Sequence, residues 1–119
     1  MPISFAHVVF DASNAESLAR FWAAALERPV DDGASPFFAT VGMPQRGTTP
    51  MPVFMFIQVP DPTPGKNRVH VDLSTDDLPA EVDRLVALGA SRVSEHEEYG
   101  VTWITLADPE GNLFDIAAH

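Results

Sequence analysis

Two histidines occupy matching places in this chain. His7 interrupts the apolar run from Ile3 to Phe10, and His70 interrupts the run from Arg68 to Leu73, 63 positions later. Asp115 interrupts a third such run, Leu113 to Ala118. Successive side chains of a strand point to opposite faces. In each run one face is therefore purely apolar, and the other carries an imidazole or a carboxylate. Residues 53–59 split the same way, Val53, Met55, Ile57 and Val59 against Phe54, Phe56 and Gln58. Phe54, Phe56 and Gln58, with Trp103 from a later run, are read as lining a pocket whose rings can stack a flat or cationic ligand. Other chemistry is excluded. There is no cysteine, hence no disulfide, thiol nucleophile, thiolate-bound zinc or iron–sulfur cluster. No serine triad is recognisable, and no Gly-rich phosphate loop appears. His96, within Ser94–Glu98, reads as a solvated loop residue. Arg46 and Lys66 lie in loops that can close over a ligand.

The elements that must position these groups follow from eleven prolines and seven glycines, which punctuate the chain. Residues 3–10 read as a strand. Ser13 or Asn14 can cap the helix that follows, whose apolar residues Ala15, Leu18, Phe21, Trp22, Ala25 and Leu26 recur at helical spacing before Pro29. Residues 36–41 and 52–59 read as strands, separated by a loop at 42–50, and residues 60–66 as a linker. The plan then restarts. A strand at 68–73 leads to polar cap residues Ser74–Asp77, with Pro79 in the first helical turn and Gly89 at the helix end. A short strand at 91–94, a strand at 100–106, the turn Asp108–Asn112 and a last strand at 113–118 complete the second half. The chain thus reads as a duplicated plan, residues 1–60 and 67–119, within one domain spanning 1–119.

Composition bounds the partners. Seven Lys+Arg against seventeen Asp+Glu give a net charge of −10, which repels nucleic acid and anionic membrane and tolerates cationic ligands. At 45% hydrophobic and 20% charged residues the chain is globular. No apolar run approaches the roughly 18 residues of a membrane span. Residues 1–6 lack the pattern of a signal peptide, so a cytoplasmic location is expected.

Two strand–helix–strand halves, each with a histidine in its first strand, and the turn Asp108-Pro109-Glu110-Gly111-Asn112 before a carboxylate-bearing last strand resemble the glyoxalase/bleomycin-resistance/dioxygenase superfamily, also called vicinal oxygen chelate. The stretch from Arg68 to Leu73, with the acidic pair and helix leading to Leu88-Gly89-Ala90, strengthens the resemblance to its small glyoxalase-like domains. The resemblance implies an α+β fold of two βαβββ modules, each an incomplete barrel, around a concave site, and a homodimer. It also implies metal ligands from the first and last strands of each half. His7 and His70 match the first-strand positions and Asp115 the final one, where Glu is commoner in the family. The fourth position falls on Phe56, so the four-ligand set of glyoxalase I is not expected. The remaining 2-His-1-carboxylate set suits Fe, Mn, Ni or Zn with open positions. Three readings stay open. One is a metal-dependent lyase, isomerase or ring-cleaving dioxygenase. Another is a metal-free binder that sequesters a drug, as bleomycin-resistance proteins do. The last is a module whose only partner is a protein. Common to the first two is a small molecule bound or transformed in an aromatic-lined pocket.

Overall fold

A computed structural model describes residue 3 and residues 5–118. The chain forms two compact units, the first ending at Pro62 and the second beginning at Thr63. Each builds a small mixed sheet with one helix, giving an α+β fold.

In the first unit β1 (His7–Ala12) leads through Asn14 into α1 (Ala15–Ala25). Asn14 is the cap, its Oδ1 accepting the Ser17 N–H at 3.1 Å, because a short side-chain acceptor meets an amide that has no partner within the helix. α1 ends with paired bonds from Arg28 N–H to the Ala23 carbonyl at 2.8 Å and from Glu27 N–H to the Ala24 carbonyl at 3.2 Å. Glu27 takes the left-handed conformation, φ 55°, that this closure requires. β2 (Phe38–Val41) and β3 (Val53–Gln58) follow. The sheet order is β1-β3-β2, with β1 parallel and β2 antiparallel to β3.

The second unit contains β4 (Asp72–Thr75), α2 (Leu78–Leu88), β5 (Ser91–Glu98), β6 (Val101–Ala107) and β7 (Leu113–Ala118), in the sheet order β4-β7-β6-β5. β4 is parallel to β7, and the other pairs are antiparallel. A shift of 63 positions carries α1 onto α2 end for end, and the Asn14 cap onto the Asp77 cap. Trp22 and Leu85, both buried, occupy the same place in the two helices. Among its described residues the first unit has no counterpart of β5. Residues 26–37 form turns instead, tied to β2 by the Asp31 N–H to the Thr40 carbonyl at 3.0 Å and by the Asp31 carboxylate to Thr40 Oγ1 at 2.7 Å. Its module is therefore one strand shorter than expected.

The expected strand at 68–73 starts later, at Asp72. Asn67 explains the delay. Its Oδ1 accepts the Leu113 N–H at 2.7 Å, and its Nδ2 donates to the Leu113 carbonyl at 3.0 Å. A side-chain amide thus takes the place of a backbone partner for the first residue of β7. The first strand likewise spans His7–Ala12 rather than 3–10. The expected short strand at 91–94 extends to Glu98 and pairs with β6 along most of its length.

The hairpin between β6 and β7 is fixed by Asp108, which is 3% exposed. Its Oδ1 accepts the N–H groups of Glu110 at 2.9 Å and Asn112 at 3.0 Å, and its Oδ2 accepts Asn112 Nδ2 at 2.9 Å. Gly111 supplies the positive φ, 90°, that closes the turn. Asp108→Ala strands these amide donors. It is expected to destabilise the protein by about 2–3 kcal/mol, read as a lower urea midpoint with an unchanged slope. An unchanged midpoint would show that the turn holds without its carboxylate.

Candidate functional site

The second sheet has one buried and one open face. Ile104, Leu106, Phe114 and Ile116 are at most 4% exposed and belong to the core with Val82 and Leu85 of α2. The alternate residues face the other way. Strand register lines them up in rows. Asp72 pairs with Asp115, Asp115 with Thr105, and Thr105 with Ser94, so one row crosses all four strands. The next row holds Ser74, Ala117, Trp103 and His96.

At one edge of this face three ligating groups converge. His70 and Asp72 flank Val71, whose carbonyl accepts the Asp115 N–H at 3.0 Å. That backbone bond sets both side chains beside Asp115. His70 Nε2 lies 3.2 Å from Asp72 Oδ1 and 3.5 Å from Asp115 Oδ2. One donor atom from each of the three residues falls within 4.8 Å of the other two. Thr105 Oγ1 donates to Asp115 Oδ1 at 2.7 Å, which holds one oxygen and leaves the other turned to His70. The side chains of His70 and Asp72 are 41% and 74% exposed, while that of Asp115 is 24% exposed. The group is therefore open to solvent from the β4 side. One imidazole and two carboxylates in this spacing fit a divalent cation with coordination positions to spare.

The next row carries the aromatic element. The rings of His96 and Trp103 stack with centroids 5.1 Å apart and planes at 18°. His96 Nε2 lies 2.7 Å from Ser94 Oγ. His96 is thus a strand residue on the open face, which corrects its reading as a loop residue. Its segment is polar on both faces, so alternation carries no signal there.

The other expected site residues lie in the first unit. His7 opens β1. Phe54 and Phe56 are 5% and 0% exposed. Phe54 packs on Trp22 of α1 at 5.9 Å and Phe56 on Phe10 at 5.1 Å between ring centroids. The face expected to line a pocket is the helix-packed core, and the assignment of faces in β3 is reversed. The physical reason is that β3 is apolar on both faces, so alternation alone cannot say which one meets the helix. Parallel register decides it: Phe56 lies beside Phe10, and Phe54 beside Val8. The residues of β3 that share the face of His7 are Val53, Met55 and Ile57. Met55, not Phe56, therefore lies on the His7 face of β3. Gln58 donates from Nε2 to the Ser13 carbonyl at 2.9 Å. Arg46 donates to the Met43 carbonyl at 3.0 Å and borders an open depression with Phe5 and Met51. Asp115 finds its partners in Thr105 and His70.

Comparison with known proteins agrees with this arrangement of elements. The model of the glyoxalase-like domain matches residues 7–117. The chain belongs to that family. A glyoxalase/bleomycin resistance protein/dioxygenase family enzyme from Burkholderia phytofirmans shares its fold at a TM-score of 0.78 and 17% identity, with 98% of each chain covered. A fosfomycin resistance protein from Listeria monocytogenes gives 0.74 at 13% identity, covering 100% of this chain and 95% of its own. Lactoylglutathione lyase from Agrobacterium tumefaciens gives 0.65 at 11% identity, covering 99% and 95%. At these identities the likeness is one of fold. No curated protein matches the sequence significantly. Among the described residues, no helix is long and apolar enough to cross a membrane.

Two residues of the glyoxalase-like domain's open face carry no role in the sequence reading. Asp72 is legible as the face-mate of His70 but is masked by the commonness of exposed acids. Thr105 becomes visible only through its cross-strand pairing with Asp115.

Proposed function

We propose that this glyoxalase-like domain binds a small oxygen-chelating molecule on the open face of its second sheet and transforms it with the help of a divalent metal. The observation that carries this reading is the convergence of His70 Nε2 with carboxylate oxygens of Asp72 and Asp115. His70 and Asp115 are the assigned ligands here, and His7 matches the first-strand ligand position of the family pattern. Iron, manganese, nickel and zinc are the metals this donor set serves. Once bound, such an ion supplies Lewis-acid polarisation of a substrate oxygen. The chain's own residues do the rest. Thr105 orients Asp115, and His70 presents Nε2. The His96–Trp103 stack flanks the flat part of the substrate. The reaction class is a lyase or isomerase step, or a ring-cleaving dioxygenation. A homodimer, as the family pattern implies, in the cytoplasm is the expected setting.

A second reading is metal-free sequestration of an aromatic cation. It is favoured by the same aromatic stack and by the net charge of −10. Elemental analysis of protein purified without a tag separates the two. Stoichiometric metal, with a melting temperature that falls on chelation, is the expected result. Protein that is metal-free, fails to rebind metal and is stabilised by an aromatic cationic drug would overturn the catalytic reading in favour of sequestration.

A further inference from the structure

Val9 and Met55 pair in β1 and β3 as Asp72 and Asp115 pair in β4 and β7. The second half therefore carries two carboxylates where the first carries two apolar side chains. We propose that Asp72 is a direct ligand of the divalent ion, beside His70 and Asp115. This inference rests on the metal-dependent reading above.

Geometry supports it first. Two cis donors on an ion at about 2.1 Å are about 3 Å apart. The separations from His70 Nε2 are 3.2 Å to Asp72 and 3.5 Å to Asp115. Closing on a cation needs movements of a few tenths of an ångström, within reach of the mostly exposed Asp72 side chain.

Electrostatics supports it second. Like charges directly opposite on neighbouring strands repel, and Asp72 and Asp115 are direct partners. Among the described residues no lysine or arginine pairs with either. A divalent cation between them removes the repulsion, and two carboxylates with one neutral imidazole balance its charge. Two carboxylate oxygens and one imidazole nitrogen, with positions left for water or substrate, suit Mn(II) or Fe(II). Asp115 is already held by Thr105, so the ion would find one fixed and one mobile carboxylate.

The test is Mn(II) binding to the metal-stripped full chain, followed by the electron paramagnetic resonance signal of free Mn(II). Wild type is compared with Asp72→Asn and with Asp76→Asn, an exposed acid just beyond the same strand. Asp72→Asn is expected to weaken binding about 100-fold or more, with Asp76→Asn within about threefold of wild type. Equal small losses in both variants would make Asp72 a bystander charge and overturn the assignment, while the metal-dependent reading stands. A wild-type chain that takes up no Mn(II) at millimolar concentration would remove that reading as well. Thermal melting of the stripped variants checks that each is folded.

Discussion

Phe56→Ala is expected to destabilise the protein by about 3–5 kcal/mol, a large share of the roughly 5–15 kcal/mol that holds a domain together. Phe56 is 0% exposed and touches the rings of Phe10 and Phe54, with Phe10 in turn against Trp22. Truncation removes the transfer energy of the ring and leaves a cavity that a helix-backed aromatic cluster cannot collapse to fill. The adjacent substitution Ile57→Ala is the informative control. Ile57 is 36% exposed on the opposite face of β3, so about 1 kcal/mol is expected. Urea midpoints at constant slope measure both. If Phe56→Ala proved mild and instead weakened ligand binding, Phe56 would be a pocket residue after all.

His70→Ala should abolish metal binding while leaving the metal-free fold within about 0.5 kcal/mol of wild type, because the side chain is 41% exposed. With Mn(II) at a hundred times the dissociation constant, wild type gains about 2.7 kcal/mol. For a chain of this size that is roughly 10 °C in melting temperature. The variant should gain nothing. Wild-type metal content in His70→Ala would place the ion elsewhere.

The architecture was legible where pattern and chemistry coincide. Asn14, Asp77, Pro79 and Gly89 mark their helix ends by chemistry that few other residues provide, and the structure uses each there. The two histidines echo each other because the halves do. What escaped the sequence has a common cause. Alternation reveals a buried face only when the other face is polar. β3 is apolar throughout, so the facing of Phe54 and Phe56 depends on pairing with β1, a contact between residues far apart in the chain. β5 is polar from Ser94 to Glu98, so Ser91–Glu98 showed no strand beyond its start. Asp72 lay on the correct face, but its significance comes from its neighbour in β7, which local spacing cannot show.

Asn67 gives this last point a physical edge. A strand can slide against its neighbour, and a slip of a single residue turns every side chain over. By holding both the N–H and the carbonyl of Leu113, the amide of Asn67 acts as a ratchet pawl at the mouth of the sheet. It fixes the phase in which two acids and an imidazole arrive on the same side. The placement of residues 70, 72 and 115 is thus set by a side chain outside their cluster.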